Sequence, residues 1–180
     1  MSISATKQNR HRTEKNKGLN GVLNVDKPPN MTSHDVVDAV RRIAGIRKVG
    51  HTGTLDPMAT GVLPLCLGHA TRVQEFLVAQ DKEYRVQLQL GIITTTQDVT
   101  GEVVEEREVG NIDESTIRET FQRFVGPQLQ TPPMVSAKHH RGKRLYELAR
   151  KGVEVKREPC KITIHDIEIE DISLPHIMFR

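Results

Sequence analysis

Lys82-Glu83-Tyr84-Arg85-Val86-Gln87-Leu88-Gln89-Leu90-Gly91 alternates strictly. Tyr84, Val86, Leu88 and Leu90 fall on one side and Arg85, Gln87 and Gln89 on the other, the two-residue period of a strand with one covered and one wet face. Such a strand belongs to an antiparallel sheet. Parallel sheets are covered on both faces, and their strands read as unbroken apolar runs.

Downstream, residues 102–109 predict a further strand. Asp113 is placed to cap a helix running through Phe124 and closed by Gly126. A Pro-interrupted extended stretch follows, then a helix over residues 144–151 closed by Gly152. Residues 160–172 alternate again through Ile162, Ile164, Ile167, Ile169 and Ile172, with a bulge or phase slip near His165. His176-Ile177-Met178-Phe179-Arg180 opens one more strand.

Upstream, Leu19–Val25 suits a buried strand stopped by Lys27-Pro28-Pro29. Thr32 or Ser33 can cap a helix with Asp35 in its first turn, and Val36, Val37, Val40, Ile43 and Ala44 recur at helical spacing up to Gly45. Residues 50–61 carry three glycines and a proline and read as loop. Val62–Leu67 suits a strand, and residues 69–78 a short helix with Val73, Phe76 and Leu77 inward. The pattern predicts an α+β fold, a mixed and largely antiparallel sheet with flanking helices, in one domain over residues 19–180.

Composition narrows the function. Hydrophobic residues are 36% and charged residues 27%, which excludes a disordered chain as a whole. The longest apolar stretch, Gly61–Gly68, contains Pro64 and is too short to cross a bilayer. Cys66 and Cys160 form no C-x-x-C pair, so reduced thiols in a cytoplasmic protein are expected. There is no Trp, and Tyr84 and Tyr146 are the two tyrosines, so an aromatic contact to a ligand has few sources.

Charge is unevenly spread. Residues 1–18 hold five basic residues against Glu14, a net of +4, with little to bury, and read as a disordered basic arm. Residues 132–157 hold eight basic and two acidic residues, a net of +6, whereas residues 99–119 carry a net of −5. A phosphate backbone is drawn to the first of these two segments and repelled by the second. Pro132, Pro133, Gly142 and Gly152 make the basic segment a loop-rich projection suited to binding.

The segment most suggestive of chemistry is Gly50-His51-Thr52-Gly53-Thr54-Leu55-Asp56-Pro57-Met58-Ala59-Thr60-Gly61. Its glycines allow tight turns and close approach to a ligand. Asp56, before Pro57, is biased to an extended conformation from which its carboxylate can project into a cleft. Taken alone, an Asp-Pro in a Gly-rich loop is usually a turn or helix-start device. Metal chemistry is not expected. His139-His140 lacks an acidic partner, and His34, His51, His69 and Asp56 match no ligand spacing.

The whole string, continued by Val62-Leu63-Pro64, resembles the catalytic loop of TruB-type tRNA pseudouridine synthases, including their dyskerin-like relatives. Val22–Val37 resembles that family's strand–Lys–Pro–helix opening. Lys82–Gly91 with Thr94–Val103 resembles its Tyr-bearing strand and the T-x-T-x-D-x-x-G run, and Gln128–Gly152 resembles its RNA-binding thumb. The resemblance implies a pseudouridine-synthase-like fold with a thumb over about residues 132–152. It implies isomerisation of the T-loop uridine at tRNA position 55, without metal or cofactor, by a monomer that binds the T stem-loop. Asp56 then falls on the catalytic aspartate and Tyr84 on the tyrosine that stacks on the flipped uracil and acts in proton abstraction. His51 falls on the histidine that intrudes into the T loop, and Lys27 on the lysine that braces the floor of the site. Thr52, Gly53, Lys143 and Arg144 join them as substrate-binding residues.

The chain departs from the family at Val135 and Lys138-His139-His140, where many relatives carry a tyrosine and a lysine. It ends at Arg180, before the family's last strand, whose arginine pairs with the aspartate, and before the usual C-terminal PUA domain. The resemblance therefore implies weak or no activity for this chain alone, with a half-buried Asp56 acting as a poorer nucleophile. The alternative function is a non-catalytic tRNA binder or folding chaperone on the same scaffold.

Overall fold

A computed structural model describes residues 18–134 and 155–180, together with residues 136, 139, 140, 142–144, 148, 152 and 153. The basic arm expected over 1–18 lies outside these apart from Gly18, as does most of the thumb expected over 132–152. The chain divides into two compact units, one ending at Asp81 and the other beginning at Lys82.

The first unit opens with strand β1 (Gly21–Lys27), followed by helix α1 (Ser33–Ala44) and strands β2 (Val49–His51) and β3 (Gly61–Leu67). A 3₁₀ turn, Gly68–Val73, then leads into α2 (Gln74–Val78). The sheet order is β1-β3-β2, and both pairings are antiparallel. Lys27 lies opposite Gly61 and His51 opposite Leu65, so the loop over residues 52–60 leaves and re-enters the sheet near the end of β1. The expected loop over 50–61 is thus shorter, because Gly50, His51 and Gly61 belong to strands. Pro64 is tolerated in the central strand because β2 ends opposite Leu65. Beyond that point the ladder continues on β1 alone, and the Pro64 carbonyl accepts the Thr52 N–H at 3.0 Å.

Helix α1 begins where its sequence directs. Thr32 is the N-cap, its hydroxyl accepting from Asp35 N at 3.1 Å while the Asp35 carboxylate accepts from Thr32 N at 2.8 Å. The Thr32 hydroxyl also donates to the Asp35 carboxylate at 2.7 Å, and this bond first, then that from Thr32 N, holds the Asp35 carboxyl below the ordinary carboxylate range. Gly45, at φ 64°, supplies the left-handed residue that ends the helix. Val36 and Val37 face the sheet and form a core with Val49, Leu63 and Leu65, against which Met31, Val40 and Leu55 pack. Burying each such aliphatic side chain contributes about 2 kcal/mol. Ile43, expected inward, is instead 82% exposed: seven residues after Val36 it falls on the same face, but it sits in the last turn of the helix, past the buried Val36 and Val37. Val73 and Phe76 are likewise exposed and only Leu77 is half-buried, since the segment begins as a tighter 3₁₀ turn and its side chains rotate off the expected stripe.

The second unit contains β4 (Val86–Gln89), β5 (Ile92–Thr94), β6 (Val103–Glu106), α3 (Glu114–Gln122) and β7 (Gly126–Gln130). It continues with β8 (His139–His140), β9 (Lys143–Arg144), β10 (Cys160–Ile164), β11 (Ile169–Ser173) and β12 (His176–Phe179). Every described pairing is antiparallel, in a three-stranded sheet β11-β12-β4 and the pairs β10-β7, β5-β6 and β8-β9. Ile177 is buried in β12, and Phe121 of α3 meets Phe179 edge-on at 5.0 Å between ring centroids.

Several expectations shift here. The Lys82–Gly91 strand shortens to β4, which among the described residues lies at the outside of its sheet, and the side chains on both of its faces are exposed rather than on one alone. The strand expected over 102–109 shortens to β6. Helix α3 stops at Gln122, after which turn-type bonds carry the chain to Gly126, the first residue of β7. The phase slip near His165 is a change of sheet, since β10 pairs with β7 and β11 with β12, and the bulge lies at Ile169/Asp171. The helix expected over 144–151 falls largely outside the described residues, and Arg144 belongs to β9. Among the described residues, no helix is long and apolar enough to cross a membrane.

Candidate active site

Lys27, the last residue of β1, is fully buried. Its Nζ donates to the carbonyls of Pro28 at 2.9 Å, Met31 at 2.7 Å and Pro57 at 3.2 Å. Three carbonyls match the three N–H bonds of an ammonium group, so the buried charge is fully hydrogen-bonded. Two of these acceptors shape the turn before α1, and the third belongs to the residue after Asp56. The Pro57 carbonyl also accepts the Asn30 N–H at 2.8 Å. Asn30 reaches it with φ 63°, a conformation in which asparagine is enriched.

The residue before Asp56 is held as firmly. Leu55 N donates to Ser33 Oγ at 2.9 Å, and Ser33 Oγ donates to Leu55 O at 3.2 Å. Ser33 is 2% exposed, and the Leu55 side chain packs against the core. Leu55 takes the inward position, so Asp56, its neighbour in an extended segment, turns outward. Asp56 is therefore exposed rather than half-buried. Its own carbonyl closes a turn with Ala59 N at 3.0 Å.

His51 ends β2 half-buried, with Nδ1 2.6 Å from the Gly53 carbonyl. A carbonyl only accepts, so Nδ1 carries the hydrogen. The His51 carbonyl accepts from Gln74 Nε2 at 2.8 Å. That side chain passes close over Gly50, where a Cβ would lie 2.4 Å from Gln74 Oε1. A side chain at position 50 would displace the Gln74 amide from this bond. Gly53 meets nothing within 4 Å and shows no positive φ, so neither demand applies to it. Thr52 is buried beside it.

The first unit thus brings together Lys27, His51, Thr52, Gly53 and Asp56 around one loop. Tyr84 lies in the second unit, just before β4, and is 55% exposed. Lys143 and Arg144 form β9 opposite His140 and His139. Among the described residues, no group of three or more His, Cys, Asp or Glu is gathered as metal ligands would be. Sequence reasoning missed Asn30, Ser33 and Gln74 as supports of this loop. By sequence Ser33 can cap α1, but once Thr32 takes that role a buried serine hydroxyl needs another partner.

A family model described as TruB family pseudouridylate synthase (N terminal domain) matches residues 41–180. The tRNA pseudouridine synthase B of Clostridium tetani is 51% identical over 162 residues, 90% of this chain and 56% of that protein. The protein of the same name from Symbiobacterium thermophilum is 54% identical over 153 residues, 85% of this chain and 51% of that protein. The chain therefore spans about half the length of the curated relatives it matches. Among solved structures, a chain of a Cbf5-Nop10-Gar1 complex superposes with a TM-score of 0.65 at 32% identity, covering 88% of this chain and 38% of that one. An H/ACA RNP bound to a substrate RNA containing 2′-deoxyuridine gives a TM-score of 0.59 at 29% identity, covering 88% and 36%. Over the N-terminal domain these matches define, the chain belongs to the TruB family of pseudouridylate synthases.

Proposed function

We propose that this chain carries the catalytic loop of a tRNA pseudouridine synthase that isomerises the T-loop uridine at position 55, with Asp56 as the catalytic carboxylate. The observation that carries the reading is the Asp56 loop. An exposed carboxylate stands between two residues whose backbones are tied down, Leu55 to Ser33 and Pro57 to Lys27 and Asn30. A group held in this way reaches its target without first being ordered.

The reaction breaks the C1′–N1 bond, turns the uracil and joins C5 to C1′, after which C5 loses its proton and N1 gains one. No group is added, so the chemistry calls for neither metal nor cofactor. The Asp56 carboxylate either attacks C1′ or takes the 2′ proton to give a glycal. The uridine must leave its stack to react. Tyr84 supplies an aromatic face and a phenol oxygen for the flipped base and its C5 proton. His51 enters the T loop, with Thr52 and Gly53 lining its path. Lys143 and Arg144, on the basic thumb, hold T-stem phosphates. The protein acts as a cytoplasmic monomer on the T stem-loop of tRNA.

A T stem-loop RNA tritiated at uracil C5 tests this, because joining C5 to C1′ must release the label. It is incubated with this chain and with a chimaera continuing it with the C-terminal half of the Clostridium tetani relative. Each protein carries either Asp56 or Asp56→Asn. Release is expected from the Asp56 chimaera and from neither Asn variant. RNA binding without release from any protein would make the chain a tRNA binder or folding chaperone instead.

A further inference from the structure

Ser33 is the second residue of a Thr-Ser pair at the start of α1, and the two hydroxyls have divided their work. Thr32 caps the helix and bonds with Asp35. Ser33, 2% exposed, turns away from the helix and exchanges hydrogen bonds with both backbone groups of Leu55, 22 residues further on. A helix needs one N-cap hydroxyl, so helix formation does not account for the second.

We propose that Ser33 is a positioning residue for Asp56, acting through the Leu55 backbone. This rests on the reading of Asp56 as the catalytic carboxylate. The geometry is a two-point mount. Lys27 and Asn30 hold the carbonyl on one side of Asp56, and Ser33 holds the peptide groups on the other. The Leu55 side chain, half-buried against the core, resists rotation between the two points. With only the Pro57 side tied, the Asp56 carboxylate can swing about that anchor. A displacement of about 1 Å from attack geometry costs up to about 100-fold in rate.

The test compares Ser33→Ala with Thr32→Ala. Hydrogen exchange is followed on this chain, and single-turnover tritium release at saturating RNA on whichever of the two proteins described above releases label. Ser33→Ala is expected to raise amide exchange across residues 55–59 about 10-fold while α1 stays protected. Release should fall about 10-fold or more with RNA affinity unchanged. Thr32→Ala is expected to lower the melting temperature but leave the release rate alone. Unchanged loop exchange in Ser33→Ala overturns the proposal, as does a freed loop that reacts at the parent rate. Release from no parent protein overturns the functional reading, and the positioning role falls with it. An active parent with an equally active Ser33→Ala variant overturns the positioning role alone.

Discussion

The Lys27 ammonium meets the Pro57 carbonyl at 3.2 Å across thirty residues of sequence, joining the end of β1 to the loop that presents Asp56. Removing that ammonium takes a donor from the Pro28 and Met31 carbonyls and leaves the Pro57 carbonyl with the Asn30 N–H. Lys27→Met keeps the stem and loses the bonds, and is expected to destabilise the chain by about 3 kcal/mol. Lys27→Arg is expected to fail as well, since a planar guanidinium cannot aim at three carbonyls arranged around a point charge. A lower urea midpoint at unchanged slope is the confirming result.

The Gly50–Gln74 contact predicts a coupling rather than a simple loss. Alanine at position 50 places a Cβ 2.4 Å from Gln74 Oε1, so the glutamine must swing away and give up its bond to His51 O. Gly50→Ala alone is expected to cost about 1–2 kcal/mol. In the Gly50→Ala, Gln74→Ala double variant the clash has no partner, so its cost should fall short of the sum by about 0.5–1 kcal/mol. Strict additivity in chemical denaturation would show that the two residues do not meet.

Local signals were legible in the sequence and distant partners were not. The α1 boundaries followed from Thr32, Asp35 and Gly45 because capping acts within one turn. Likewise, the alternation around Val86–Gln89 correctly indicated an antiparallel strand. It did not reveal that β4 lies at the outside of its sheet, because a strand's neighbours are set by residues far along the chain. The same reason turned a supposed slip at His165 into a change of sheet. At the site, composition marked Asp56 only as an acid in a glycine-rich loop, and the role proposed for it rests on family resemblance. Ser33 was invisible as a support because its partner, Leu55, lies 22 residues away.

Asp113 predicts a pH dependence. It caps α3, and bonds from the Ser115 hydroxyl, then the Thr116 N–H and hydroxyl, hold its carboxyl down from the ordinary 3.8 to about 2. A depressed folded-state value means that its stabilisation is fully present above pH 3.8 and is lost as pH falls through about 2. Asp113→Asn keeps a competent cap without the titration. The parent should therefore lose more helical circular dichroism than the variant between about pH 4 and pH 2, with the two alike at neutral pH. Parallel acid curves would remove Asp113 from the account.

Cys66 offers an internal reporter on the stability of the first unit. It is fully buried in β3, opposite Val22 on one side and Gly50 on the other. Burial pushes its thiol pKa up, and only the thiolate attacks a disulfide reagent. Cys160, in the second unit, is half-buried and should react first. Cys66 should wait for the sheet to open. When opening and reclosing outpace labelling, its rate follows the population of the open form. A Lys27→Met loss of about 3 kcal/mol then raises Cys66 labelling about 100-fold and leaves Cys160 labelling unchanged. If both thiols accelerate together, Lys27 stabilises more than the unit that contains it. If neither does, the buried ammonium is not what holds β1 and the Asp56 loop together.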